Sequence, residues 1–274
     1  MNLLFCINHN VLGEFGSCLK SIVLHGGFTH YDVYVLHSAL EASTCEAIRT
    51  DFGKDMTFHF ISVPDVLFSG FPVTDRYPKE IYYRLAAPQL LPEQLERILY
   101  LDVDTLVINS LQELYETDFQ GNYYAGCTHT KGFLTKVNQS RLNADKKSAY
   151  INTGVLLMNL PVLRKKLNLN EIREYVQDNE KALILPDQDI LSALYGNKVL
   201  LLDTLRFNLS DRIMNMHNAE HWHHKIDTDW VAKNTSVIHY CGTNKPWNRD
   251  YMGKLGVFYH ELLPNKLTSS KFQK

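Results

Sequence analysis

Two aspartates one residue apart, Asp102-Val103-Asp104, follow directly on the apolar run Ile98-Leu99-Tyr100-Leu101. Residues two apart on an extended segment project to the same side, so both carboxylates can reach one cation. Hard oxygen donors suit Mg²⁺ or Mn²⁺, and sites of that kind usually share the ion with substrate phosphates. An acidic pair is commonly a loop feature that caps a helix or faces water, so the spacing decides little by itself. Here an apolar strand delivers the pair, and that context favours a metal site.

Three further groups carry chemistry. His239-Tyr240-Cys241-Gly242-Thr243-Asn244-Lys245-Pro246-Trp247 follows a short apolar segment. His239 can add a nitrogen ligand to the two carboxylates. Gly242 would let backbone approach an anion, and Lys245 could neutralise phosphate charge. Asp187-Gln188-Asp189 stands at a helix start after Pro186. Acids there cap free amides and favour the helix dipole, which is a sufficient structural reason for them. The functional reading has Asp187 on sugar hydroxyls and Gln188 near a reacting carbon. In Tyr82-Tyr83-Arg84, Arg84 either contacts a diphosphate or sugar or is a solvated helical arginine.

The elements that must position these residues alternate along the first hundred positions. Leu3–Ile7, Tyr31–Leu36, Met56–Val63 and Ile98–Leu101 read as strands. Phe15, Leu19, Ile22 and Val23 recur at helical spacing until Gly26-Gly27, and residues 41–52 and 79–91 read as helices. Repeated units of this length predict an α/β fold with a doubly wound, mainly parallel sheet. In such sheets ligands bind beyond the carboxyl ends of the strands, where Asn8-His9-Asn10 and Asp102-Val103-Asp104 both fall. Beyond residue 120 the pattern is mixed. Tyr123–Cys127, Val155–Met158, Lys198–Leu202 and Ser236–Tyr240 read as strands, Asn170–Gln177 and Asp187–Tyr195 as helices, and 208–232 as a loop-rich insertion. We expect one domain over residues 1–250 and a C-terminal extension, 251–274, with a basic tail.

The chain has 274 residues, 45% apolar and 21% charged, with a formal net charge of −2. That composition supports a folded core and gives no basic field for nucleic acid. Cys6, Cys18, Cys45, Cys127 and Cys241 include no C-x-x-C pair, which reads as reduced thiols and a cytoplasmic location. The first apolar run is too short for a signal-peptide core, and no stretch reaches the roughly 20 apolar residues of a membrane span. Sequons at Asn138, Asn208 and Asn234 therefore carry little weight. Lys266, Lys271 and Lys274 in the tail would suit peripheral contact with an anionic membrane at its inner face.

Two other chemistries fit parts of the sequence. Asp102 to Thr105 spells D-x-D-T, as in haloacid-dehalogenase-type phosphatases, where the first Asp is phosphorylated. Those enzymes place it on the opening strand, whereas three strands precede it here. His217-Asn218-Ala219-Glu220-His221 spells the inverted zinc-protease motif, which needs a helix and a further acidic ligand. A binder of nucleotide sugars without turnover is the non-catalytic alternative.

The ordered set Tyr83-Arg84, Asp102-Val103-Asp104, Asn152-Thr153-Gly154-Val155, Asp187-Gln188-Asp189 and His239-Tyr240-Cys241-Gly242…Lys245-Pro246-Trp247 resembles glycosyltransferase family 8. The resemblance spans residues 1 to about 250. It implies a GT-A fold, a UDP-sugar donor, Mn²⁺ (with Mg²⁺ as a substitute) and transfer with retention to a saccharide or glycolipid acceptor. It further implies Asp102, Asp104 and His239 as metal ligands, with Gly242 and Lys245 on the diphosphate. Arg84, Asn152, Thr153, Asp187 and Gln188 would surround the donor sugar, Asp187 and Gln188 being the catalytic pair. Cys6, Ile7 and Val103 would hold the nucleotide, with Asn8 and Asn10 near uracil. Asn8 and Val11 depart from the acid and the aromatic that many members carry, and His129 stands where some relatives have an acid facing the acceptor.

Overall fold

In the computed structural model, which describes residues 1–130, 132–222 and 224–262, the apolar runs of the N-terminal half become strands buried on both faces. The strands are β1 (Asn2–Ile7), β2 (Tyr31–His37), β3 (Met56–Ser62), β4 (Arg97–Leu101), β5 (Thr105–Val107), β6 (Tyr124–Cys127), β7 (Asn152–Asn159), β8 (Val199–Leu201) and β9 (Val237–His239). Alternate residues feed two cores. Leu4, Tyr34, Ile98, Tyr100 and Leu156 join one apolar cluster, while Leu3, Val33, Leu99, Leu101 and Val155 join the other. This is the two-residue period of a strand covered on both sides.

The main sheet has the order β3-β2-β1-β4-β7-β6-β8. β1 runs parallel to β2 and β4, and β2 runs parallel to β3. The chain builds outward from β1 to β3 and then returns to the other side of β1 with β4. That reversal opens a crevice beyond the carboxyl ends of β1 and β4. Asn8 and Asp102 stand at its two lips. The expected mixed region begins at β7, which lies antiparallel to both β4 and β6.

A second, two-stranded sheet pairs β5 with β9, with Thr105 opposite His239. It rests on a third apolar cluster containing Leu106, Leu209, Met214, Val231, Ile238, Tyr240 and Leu255. Tyr259 and Leu262 of the Gly256–Leu262 helix pack against this cluster, so this helix is tied to the β5–β9 sheet.

The expectation of a loop-rich insertion at 208–232 is corrected. Helices occupy Asp211–Ala219 and Thr228–Asn234. Each starts at a side-chain cap: Ser210 accepts from the Ile213 amide and Asp227 from the Trp230 amide. Met214 and Val231 are the buried anchors of these helices, so each buries too narrow a face to stand out as periodicity. The first helix ends at Ala219, before Glu220 and His221, so it does not carry the zinc-protease motif. The tail lysines 266, 271 and 274 lie outside the described residues. No helix among the described residues is long and apolar enough to cross a membrane.

Candidate active site

β4 ends at Leu101, and the chain turns through Asp102, Val103 and Asp104 before β5. Gly154 of the neighbouring β7 fixes the turn, its carbonyl accepting from the Asp102 amide at 2.8 Å. The Thr105 hydroxyl closes it by donating to the Asp102 carbonyl at 2.7 Å. Because β9 pairs with β5, His239 arrives beside both carboxylates. Its Nε2 lies 3.1 Å from Asp104 Oδ1 and 3.7 Å from Asp102 Oδ2. One potential ligand atom from each residue falls within 4.8 Å of the others, making the single such group of three found among the described residues. Two carboxylates and an imidazole fit Mg²⁺ or Mn²⁺ with positions left open for substrate oxygens.

Glycine at 154 is a requirement of this arrangement. A Cβ there would come within 2.1 Å of His239 Cε1 and 2.7 Å of Asp102 Oδ2. The backbone of β7 therefore forms the back wall of the site.

The histidine is oriented from behind. Its Nδ1 lies 3.0 Å from Asn208 Oδ1, an acceptor that calls for a proton on Nδ1 and leaves Nε2 on the carboxylate side. Lys245 Nζ donates to Asp104 Oδ2 and, at 2.8 Å, to the Tyr240 carbonyl. Burial acts to raise the Asp104 pKa, but His239 and Lys245 outweigh it and hold this carboxyl well below the usual carboxylate range. Asp104 is thus ionised and ready for a cation.

Arg84 is buried, which settles its two sequence readings against a solvated arginine. Nη2 donates to Asp102 Oδ1 at 3.0 Å, while Nη1 donates to the Thr153 carbonyl at 3.0 Å and lies 3.2 Å from Asp187 Oδ2. Its guanidinium stacks 4.1 Å over the Tyr100 ring, and Tyr100 donates its own hydroxyl to Asp102 Oδ1. The guanidinium fork therefore holds two acids at once, Asp102 and Asp187. Thr153 Oγ1 donates to Asp187 Oδ2 at 2.7 Å. Burial raises the Asp187 pKa against the pull of Arg84.

The three residues Asp187, Gln188 and Asp189 divide their work. Asp187 and Gln188 line the crevice, with Gln188 Oε1 accepting from Asn152 Nδ2 at 3.3 Å. Asp189 turns away and is fully buried. It accepts from both Arg141 terminal nitrogens, the Tyr150 hydroxyl and the Ile184 and Leu185 amides.

At the opposite lip, Asn8 Oδ1 accepts from the Asn10 amide and its Nδ2 donates to Glu80 Oε2. Glu80, buried and also bound by the Ser38 hydroxyl at 2.6 Å, sits against the crevice and was not singled out from the sequence. Gly242 adopts φ +93°, a conformation only glycine takes without strain, within the loop that carries Lys245 and Trp247.

One cleft of about 1010 Å³ gathers most of these side chains. Cys6, Ile7, Asn8, Arg84, Asp102, Val103, Asp104, Asn152, Thr153, Asp187, Gln188, His239, Gly242 and Lys245 all border it, and Asn10 is not among the lining residues. His129 joins them from the far side. Burial first, then the neighbouring His239, pushes its pKa down to about 3, so it is neutral at physiological pH. Burial likewise raises the thiols of Cys6, Cys18, Cys45, Cys127 and Cys241, which removes a thiolate nucleophile from consideration. The residues missed from sequence are Tyr100, Gly154, Glu80 and Asn208. Gly154 stood in plain view within Asn152-Thr153-Gly154, and a glycine in a buried strand is the signal of close approach.

The family described as Glycosyl transferase family 8 matches residues 2–251. Lipopolysaccharide 1,2-glucosyltransferase of Escherichia coli is 29% identical over 186 residues, covering 65% of this chain and 52% of that protein. Lipopolysaccharide 1,3-galactosyltransferase of Salmonella typhimurium is 24% identical over 262 residues, covering 90% of this chain and 73% of that protein. The chain thus spans about half the length of the first and nearly three quarters of the second. Among solved structures, galactosyltransferase LgtC in complex with donor and acceptor sugar analogs superimposes with a TM-score of 0.81 at 26% identity, covering 96% of this chain and 95% of that one. The architecture is that of a GT-A glycosyltransferase, and the chain belongs to glycosyltransferase family 8.

Proposed function

We propose that the chain is a retaining hexosyltransferase that moves galactose or glucose from a UDP-sugar to a saccharide or glycolipid acceptor, using Mn²⁺ or Mg²⁺. The observation that carries this reading is the sharing of one cleft by the Asp102–Asp104–His239 group, Lys245 and the Asp187-Gln188 step. The hexose and the surface-glycan acceptor are suggested by the relatives named as lipopolysaccharide glucosyl- and galactosyltransferases. The reading places the chain in the cytoplasm, with the tail lysines against an anionic membrane face.

When bound, the metal would neutralise diphosphate charge and polarise the bond to the departing oxygen. Asp102, Asp104 and His239 would hold it, and Lys245 would add a cation where charge grows on the leaving diphosphate. Arg84 and Thr153 fix the Asp187 carboxylate so that it can accept from sugar hydroxyls, with Asn152 alongside. An amide is a poor nucleophile, so Gln188 stabilises positive charge at the anomeric carbon and forms no bond to it. The acceptor hydroxyl attacks from the face the diphosphate leaves. The bond from anomeric carbon to diphosphate oxygen breaks, the bond to the acceptor oxygen forms, and the acceptor proton passes to the departing phosphate.

The test is UDP release from a panel of UDP-hexoses with Mn²⁺ and simple sugar acceptors, with NMR of the product anomer. Metal-dependent UDP release and a product of unchanged anomeric configuration are expected. An inverted product contradicts retention. Hydrolysis of a generic phosphate ester without UDP release indicates the phosphatase chemistry, and UDP-sugar binding without turnover indicates a binder.

A further inference from the structure

We infer that Asn208 is a positioning residue that ties the metal-ligand histidine to the sugar-facing glutamine through a directional chain of hydrogen bonds. The inference rests on the function proposed above. His239 Nδ1 meets Asn208 Oδ1 at 3.0 Å, Asn208 Nδ2 donates to Asn152 Oδ1 at 2.9 Å, and Asn152 Nδ2 donates to Gln188 Oε1 at 3.3 Å. Each amide accepts on its oxygen and donates from its nitrogen, so the three links share one polarity.

That polarity has a consequence at both ends. With its oxygen toward His239, Asn208 calls for a proton on Nδ1 and leaves the Nε2 lone pair for the cation. With its nitrogen toward Asn152, it holds the Asn152 oxygen, which also accepts from the Gly154 amide at 3.2 Å. The Asn152 nitrogen is then left to hold Gln188. Reversing the Asn208 amide would set its donor nitrogen against the His239 Nδ1–H and its oxygen against the Asn152 oxygen, undoing both settings together.

Asn208 is itself built into place. It is fully buried, its backbone amide donates to the Thr204 carbonyl at 3.2 Å, and its backbone carbonyl accepts from His129 Nε2 at 2.9 Å. The next carbonyl, that of Leu209, accepts from the His239 amide at 2.7 Å, locking the two segments side by side. Burial of this depth also removes Asn208 as a glycan acceptor despite its sequon.

Two substitutions separate the ends of the chain. Asn208→Leu removes both, and Mn²⁺ affinity and UDP release should each fall about 10–100-fold, the range for loss of an outer partner of a metal ligand. Asn208→Asp keeps an oxygen for His239 but has no donor for Asn152. Its Mn²⁺ affinity, read by electron paramagnetic resonance, should stay within about threefold of wild type while kcat falls at least about tenfold. Equal loss of metal affinity and turnover in both variants, or no change in Asn208→Leu, overturns the inference. A folded wild-type chain that binds no Mn²⁺ contradicts the proposed function instead.

Discussion

At the residue scale, the site depends on groups whose importance lies in what they hold. Arg84 grips Asp102 and Asp187 at once, and Gly154 leaves room for His239 and Asp102. Gly154→Ala inserts a methyl where no atom fits, so Mn²⁺ affinity should drop at least about tenfold while the fold persists, as isothermal titration and circular dichroism would show. Unchanged metal affinity would mean that the back wall yields. The acidic pair, the histidine and the lysine were readable from the sequence because residue type and strand-end position coincide. Asn208 was not. It lies 31 residues from His239, and a backbone bridge between Leu209 and Ile238 brings the two together, which no local spacing encodes. Arg84 illustrates a second limit. Its position on an amphipathic helix suits a solvated side chain, and its burial comes from distant partners, Tyr100, Asp102, Thr153 and Asp187.

At the element scale, the parallel half was legible because strands covered on both faces need unbroken apolar runs, and the helices between them carry a plain 3.6-residue period. The Asp211–Ala219 and Thr228–Asn234 helices escaped notice because each is short and polar on most of its surface. β5 and β9, three residues each, give little pattern of their own, although their pairing delivers His239. The Pro186–Tyr195 helix shows how one element serves both site and scaffold. Asp187 and Gln188 face the cleft, while Asp189 clamps the Ile184-Leu185 turn and the Phe133–Arg141 helix. Asp189→Ala leaves the partly buried Arg141 without its partner, so we expect a loss of about 3–5 kcal/mol in denaturant unfolding. A loss below about 1 kcal/mol would show the clamp to be dispensable.

At the scale of the whole molecule, a two-sided sheet supplies a rigid crevice and the small β5–β9 sheet closes its floor. Neutral, buried His129 adds a pH signature to this arrangement. Its folded pKa of about 3 lies below its ordinary value near 6.5, so the unfolded chain takes up a proton that the folded chain refuses. Stability contributed by His129 is therefore present above about pH 6.5 and falls by about 1.4 kcal/mol per pH unit below it, continuing toward pH 3. Metal-free unfolding of wild type should steepen with acid over this range, and His129→Gln should flatten the slope by one proton. Identical slopes would contradict the assignment. The central claim is that Asp102, Asp104 and His239 hold a divalent ion against the diphosphate of a nucleotide sugar. The most direct measurement is anomalous diffraction from crystals grown with Mn²⁺ and UDP. The account predicts one strong peak bonded to all three side chains and to diphosphate oxygens, with Lys245 turned to the same diphosphate. A peak elsewhere, or UDP bound in the cleft with no ion between it and Asp104, would contradict it.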